Sequence, residues 1–403
     1  MNVTKAWAAQ LDDYVIDLAW SPDGRLLASA SAAGPITLFD ARGARLHELP
    51  GHADGTNSVA WAPMRQEAEV GSQRAEGSSQ VSEVECRRSE VEGQRSEVGN
   101  QKTEVRDQTS GKPFLASAVC PLTSGLLATG GQDGKIRLWD ALGGSERSET
   151  QSGPGAWVER VQWRPADTNS KSQIPNSNIL AAAAGRKLLL VNADGTVAHV
   201  YPDAPKTLSA LAWHPLGGTI AVACFGCVVL WDADDFRVRR QYAYGSAIPT
   251  LVWSPDGRWL AAGAQDNAVH LWIPDEDHEF HMSGYETKVR ELSFSANSRW
   301  LATGGARDAC VWDCSGAGPE GREPMALPHS DRICAVAFQH ARELLATAAN
   351  DGEVGLWTIT GHESRIATVR LSAPASILAW SPDDTLLAIG SQRGGVLVLR
   401  VAE

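Results

Sequence analysis

The sequence predicts an all-β chain in which eight four-stranded units close into one ring, with a strand from the N-terminus completing the last unit. Three observations predict it. A fourteen-residue phrase recurs, as LAWSPDGRLLASAS at 18–31, LVWSPDGRWLAAGA at 251–264 and LAWSPDDTLLAIGS at 378–391. Aromatic anchors return at a steady pitch along the chain. Almost no stretch shows the 3.6-residue apolar period of a helix.

Within the phrase, VIDLAW and LLASAS are apolar or alternating runs too short for helices, so each reads as a strand. The SPDG between them fits a tight hairpin turn, in which Pro fixes φ at one corner and Gly accepts a positive φ at another. Asp-Gly turns in QDGKIRLWD (132–140) and NDGEVGLWT (350–358) then introduce a third strand. Linkers such as ARLHEL (44–49) and RIATVRL (365–371) supply a fourth.

The anchors count the units. Trp20, Trp61, Trp163, Trp213, Trp253, Phe294, Phe338 and Trp380 close the first strands, and Phe39, Trp139, Val191, Trp231, Trp272, Trp312, Trp357 and Leu399 close the third strands. Outside two insertions, the pitch is about 40–45 residues, that of propeller blades. A lone four-stranded sheet cannot bury both faces, whereas a ring of blades buries each against its neighbours and leaves only short edges. Seven blades is the commoner number, but eight anchor pairs predict eight. The last unit ends at GVLVLRVAE with no fourth strand, and the chain begins with the unassigned strand VTKAWAAQ (3–10). Placing residues 3–10 beside 395–401 repairs both deficits.

These features resemble the WD-repeat family of β-propellers. The family's closing dipeptide stands at Trp139-Asp140, Trp231-Asp232 and Trp312-Asp313, with Phe39-Asp40 as a variant, and its Gly-His stands at Gly51-His52. The resemblance implies hydrogen-bonded tetrads that brace the blades: His52, Thr129, Asp133 and Trp139 in blade two, and His329, Thr347, Asp351 and Trp357 in blade seven. Tyr244 and Tyr285 replace the histidine in blades five and six. Despite their likeness to a catalytic triad, such buried networks are structural, since their donors and acceptors are already occupied.

The domain expected is one propeller over 1–403, with 64–122 a mostly disordered, low-complexity insertion in blade two. Its residues 68–109 form six imperfect heptads, from AEVGSQR to TEVRDQT. A coiled coil needs two apolar positions per heptad; here only one is apolar, and the Ser/Glu/Gln/Gly background is that of a disordered chain. A second polar stretch, DTNSKSQIPNSN (167–178), interrupts blade three at the matching place.

Of the 403 residues 43% are hydrophobic and 21% charged, as in soluble globular proteins, and the net charge is −12. That charge argues against sequence-independent binding to nucleic acid or to an anionic membrane, and no dense Lys/Arg run is present. The N-terminus lacks the apolar core of a signal peptide, and seven Cys, an odd number, suit free thiols in a reducing compartment. The expected address is cytoplasmic.

No phosphate-binding loop, nucleophile elbow or HExxH motif is present. Asp17, Glu159, Arg160, Arg290 and Glu291 are placed to face the central channel, but their signs are mixed. Cys224 and Cys227 in CFGC make half a zinc site that Cys310, Cys314 or a His would have to complete, and His278, Glu279 and His281 cluster in DEDHEFHM. The bland reading, buried thiols and a solvated edge, is the stronger, so no metal, cofactor or catalytic residue is expected. The expected function is a non-catalytic scaffold acting as a monomer, which presents a rigid ring to a protein or peptide partner. The alternative is a metal-handling or enzymatic propeller that uses the channel or the Cys224/Cys227 turn. The family resemblance implies that a partner engages the end carrying the loops before the first strands and the turns between second and third strands, which here present Tyr14, Tyr244, Gln265, Tyr285, Arg307, Arg332, Asn350 and Arg393.

Overall fold

The SPDG phrase closes on itself through its own side chains. In the computed structural model, Ser21 Oγ donates to Asp23 Oδ1 at 2.6 Å and accepts the Leu26 N–H at 2.9 Å, while Gly24 N–H returns to the Ser21 carbonyl at 2.8 Å. Ser254 with Asp256, Ser295 with Asn297 and Ser381 with Asp383 repeat the Ser-to-side-chain bond. Each turn therefore fixes the register of the hairpin it joins. Where the left-handed corner is not Gly, the residue there also reaches a neighbouring blade. Ser298 (φ 61) accepts the Asp256 N–H at 2.9 Å, and Asp384 (φ 59) accepts the His340 and Ala341 N–H groups, each at 2.8 Å.

The structure describes residues 1–64, 125–166, 178–359 and 363–402. The expectation of disorder over 68–109, and the polar stretch 167–178 apart from its last residue, lie outside them. Among the described residues there is no helix, only strands and turns. They form eight antiparallel four-stranded sheets, seven of which run in chain order from inner to outer strand. The inner strands are Val15–Trp20, Thr56–Trp61, Val158–Trp163, Leu208–Trp213, Thr250–Trp253, Leu292–Phe294, Ile333–Phe338 and Ala375–Trp380. Each packs beside the next, and the eighth packs beside the first, so the ring closes.

Blade eight is built from both chain ends. Asn2–Gln10 forms its outer strand, antiparallel to Gly395–Ala402, with Asn2 opposite Ala402 and Gln10 opposite Gly395. Its Trp7 also crosses the seam to blade one: the indole N–H donates to the Ala41 carbonyl at 3.2 Å, and the ring packs on Phe39 with centroids 5.2 Å apart.

Burial explains the composition of the strands. The second strands, such as Leu26–Ser31 and Ile179–Ala184, are buried at every position because blades cover both of their faces. They are rich in Ala, which lets the stacked sheets approach closely. The outer strands, such as Ser145–Gln151, are largely exposed and polar.

The first-strand tryptophans do more than fill space. Each of the six donates its indole N–H to a carbonyl on the inner strand of the preceding blade: Trp20 to Ala379, Trp61 to Ala19, Trp163 to Ala60, Trp213 to Gln162, Trp253 to Ala212 and Trp380 to Ala337. The bonds run from 2.9 to 3.3 Å. Trp20 to Ala379 is the latch that closes the ring. Phe294 and Phe338, the two other anchors, have no N–H to give.

Candidate functional site

The expected tetrad of blade two is a continuous chain of donors. Trp139 Nε1–H donates to Thr129 Oγ1 at 2.9 Å, Thr129 Oγ1 lies 2.9 Å from His52 Nε2, and His52 Nδ1 lies 2.7 Å from Asp133 Oδ1. Burial, acting first, outweighs the Asp133 bond and lowers the His52 pKa, so the ring is neutral. Neutral His52 then donates from Nδ1 to Asp133 and accepts at Nε2 from Thr129. Burial alone would raise the Asp133 carboxyl, but the His52 bond, the Lys135 N–H and Arg137 together hold it below its usual range. Gly51 places the histidine: at φ 62 it comes so close to blade one that a Cβ there would lie 1.9 Å from the Gly34 carbonyl oxygen.

Blade seven departs from the expected set at one member. Trp357 Nε1–H donates to Thr347 Oγ1 at 2.8 Å, and Thr347 Oγ1 lies 2.7 Å from His329 Nε2. Asp351 does not complete the chain. Its carboxylate accepts from Ser330 Oγ at 2.7 Å and from the Glu353 N–H at 3.0 Å. The carboxylate facing His329 Nδ1 is that of Glu353, 3.4 Å away and itself paired with Arg365 at 2.8 Å.

Of the eight residues assigned to the binding face, Tyr285 and Tyr244 are held in blade networks. Tyr285 is buried; its Oη accepts from Trp312 Nε1 at 2.9 Å and lies 3.0 Å from Thr303 Oγ1, so it closes the blade six tetrad without a carboxylate. Tyr244 donates to Asp266 at 2.7 Å and packs edge-on against His270. In blade five Ala262 stands opposite Leu251, the register place that Thr129, Thr303 and Thr347 hold in their own blades. The buried Trp272 indole N–H is consequently left without an acceptor, and its ring stacks on Tyr242 at 4.9 Å.

The remaining six share one end of the ring, where the inner strands begin and the second strands turn into the third. Gln265, Arg332 and Arg393 are exposed, Tyr14 and Asn350 half-buried. Arg307 is exposed but tied to the Ser330 carbonyl at 2.9 Å. The same end carries two aromatic side chains that the sequence reading left out of the face: Trp157, 51% exposed, and Phe225, 55% exposed. They are the only Trp, Tyr or Phe side chains among the described residues with more than half their surface in water. Trp157 had a signal in the sequence, since it fits no anchor position. Phe225 had none, being one residue of a two-residue hairpin turn.

The channel is a cavity of about 1190 Å³ lined by the inner strands, and Asp17, Glu159, Arg160, Arg290 and Glu291 all face it. Burial raises the Asp17 carboxyl even though it accepts the Val59 and Leu18 N–H groups at 2.9 Å each. Burial raises Glu291 in the same way. The cations beside these acids are Arg160 at Asp17, and Arg290 and Lys288 at Glu291. Among the described residues no three His, Cys, Asp or Glu side chains converge in a metal-holding geometry. Glu279 is instead engaged by His270 at 2.8 Å, and His281 packs against the same ring.

Comparison with known proteins agrees with this architecture. The family model "WD domain, G-beta repeat" matches residues 114–140, 237–272, 277–313 and 323–358, and the model "Anaphase-promoting complex subunit 4 WD40 domain" matches residues 1–64. With eight blades, a ring closed by its N-terminal strand and these matches, the chain belongs to the WD-repeat β-propeller family. Among individual proteins it is similar to telomerase protein component 1 of Mus musculus, 24% identical over 277 residues, which cover 67% of this chain and 8% of that protein. The Rattus norvegicus protein of the same name is 23% identical over 276 residues, again 67% of this chain and 8% of the relative. Ribosome biogenesis protein erb1 of Botryotinia fuckeliana is 40% identical over 65 residues, 16% of this chain and 8% of that protein. The chain thus spans a small fraction of the relatives it matches.

Proposed function

We propose that this propeller is a non-catalytic scaffold that captures a protein or peptide partner on the end of the ring carrying Trp157 and Phe225. Propellers of this family are in general protein-interaction scaffolds. The observation that carries the assignment of the end is that both exposed aromatics are there. Aromatic side chains are the groups that dominate interface energetics, with Arg as the common polar partner, and Arg332 and Arg393 stand exposed on the same end. The residues flanking both insertions, Met64 with Gly125 and Ala166 with Asn178, stand at the opposite end, which supports leaving this one open to a partner. The acids and bases on the channel wall, Asp17, Glu159, Arg160, Arg290 and Glu291, are mixed in sign, which favours the scaffold reading over a catalytic or metal-holding one. A cytoplasmic address, a monomeric ring and the absence of nucleic acid among its partners belong to the same proposal.

The test is affinity purification of the full chain from its native host, comparing W157A/F225A and R332E/R393E with a control at the other end, R25E. The expected result is that a specific co-purifying protein is lost by more than tenfold in the first two variants and kept in the third, with unchanged melting temperatures. Retention by both face variants, or loss in the control alone, would refute the assignment of the end.

A further inference from the structure

Blade four holds a pair of sulfur atoms that nothing above uses. Cys224 ends the second strand and Cys227 is the second residue of the third, Gly226–Asp232, and the two stand directly opposite each other in the antiparallel register. Only Phe225 and Gly226 separate them, and Gly226 takes the positive φ (102) that so short a turn requires. Their Sγ atoms lie 3.4 Å apart, in hydrogen-bond contact. Among the described residues this is the one sulfur–sulfur approach; Cys310, Cys314 and Cys334 stand apart from other thiols. The pair is 2% and 4% exposed, yet both residues line a cavity of about 200 Å³ whose apolar wall includes Leu188, Leu208, Val222 and Trp231. Arg186, Asp203 and Gln241 are its polar members.

The geometry points to a reversible dithiol–disulfide couple at Cys224 and Cys227, oxidised by a small peroxide admitted through this cavity. Directly opposed antiparallel residues have Cα atoms roughly 4.5–5.5 Å apart, inside the range of about 4.4–6.8 Å that a disulfide accepts. Bringing the sulfurs to bonding distance, about 2.0 Å, takes small side-chain rotations and no movement of the strands. The chemistry balances in two steps. One thiolate attacks a peroxide oxygen, the O–O bond breaks, hydroxide leaves, and a sulfenic acid forms. The second thiolate attacks that sulfur, the S–O bond breaks, and a second hydroxide leaves with the disulfide in place. The two thiol protons neutralise the two hydroxides, so hydrogen peroxide becomes two waters. Burial and the neighbouring Cys224 push the Cys227 thiol up to about 12, so closure is slow at neutral pH and quickens with thiolate fraction. The couple stands independently of which end of the ring binds a partner.

The experiment treats the reduced, folded full-length protein with hydrogen peroxide and maps the products by mass spectrometry. The expected product is a loss of two hydrogens in the tryptic peptide Thr207–Arg237, reversed by dithiothreitol, with a rate that rises about tenfold per pH unit between pH 7 and 9. C224S and C227S each abolish that product. Because either substitution could disturb the hairpin, phenylarsine oxide provides a second readout on the unaltered chain, with one equivalent expected to bridge the pair. Stable sulfinic acid on either thiol, a disulfide to a different cysteine, or failure of the arsenical to bridge the pair in the folded protein would each overturn the couple.

Discussion

A blade is braced by a hydroxyl at one register position, and the four blades with an imidazole or phenol in the tetrad place show what happens when that hydroxyl is present or missing. Thr129, Thr303 and Thr347 each accept a bond from, or lie in contact with, the tryptophan chain of their own blade, whereas Ala262 leaves Trp272 Nε1 buried and unpaired. An unsatisfied buried donor is expensive, at about 1–3 kcal/mol. A262T should therefore stabilise blade five by about 1 kcal/mol and raise the melting temperature, with Trp272 fluorescence reporting the new bond. A decrease would mean that the added atoms are crowded more than the indole is satisfied. The same networks set a pH dependence. His52 and His329 are both lowered from 6.5, in each case by burial first. A histidine depressed in the folded state favours the native form above its unfolded pKa, and that contribution is lost as pH falls through the folded value. His199, His214 and His270 shift in the same direction. The urea midpoint should be level above pH 7 and decline below about 6.5. The carboxylates Asp133 and Asp351, depressed from 3.8, add a second decline in stronger acid.

Between blades the unit of cohesion is the indole latch, and its distribution is uneven. W163F keeps the ring packed but removes the bond to Ala60, so it should cost about 1 kcal/mol, the net value of one hydrogen bond plus an orphaned carbonyl. Blade six enters with Phe294, meets Phe338 of blade seven, and has inner and outer strands of three residues each. Amide exchange should be fastest there among the sheets and slowest in the second strands of blades three and four. Protection in blade six equal to its neighbours would show that side-chain packing alone holds the seam. The difference between strands also explains what could be read in the sequence. The first three strands of each blade were legible because SPDG-type turns carry their own hydrogen bonds and the anchors sit at fixed offsets from them. Outer strands such as Val197–Val200 and Met325–Leu327 are short and half in water, so no apolar period marks them. The tetrad of blade two was legible for the same reason as the hairpins. That of blade seven was not fully so, because Asp351 and Glu353 lie two residues apart and only the fold decides which carboxylate turns toward the imidazole. Tyr285 was misplaced on the binding face because its residue type suits an interface as well as a buried phenol.

At the scale of the molecule, the ring depends on one seam. The Asn2–Gln10 strand contributes a full ladder to blade eight and, through Trp7, a contact with blade one. Deleting residues 1–10 exposes the Gly395–Ala402 edge and removes a buried Trp, so stability should fall by several kcal/mol, roughly the scale of the lost burial, and the product should self-associate through the open edge. Sedimentation of the truncated and full chains would check both consequences. An unchanged melting temperature and a monodisperse truncated chain would mean that blade eight holds with three strands.

The same seam imposes an order in time. The Asn2–Gln10 strand is synthesised well before its partner at residues 395–402, so it waits while the intervening blades are made, on the order of tens of seconds at cellular elongation rates. During that interval it is a free strand carrying Val3, Ala6 and Trp7, which pack into the core once the ring is shut. Lys5, exposed in the finished blade, interrupts that apolar set with a charge, the kind of residue that disfavours wrong strand pairing. A nascent chain stalled before blade eight is therefore a sticky, unclosed arc, and synthesis of the Gly395–Ala402 strand converts it to a molecule without a seam.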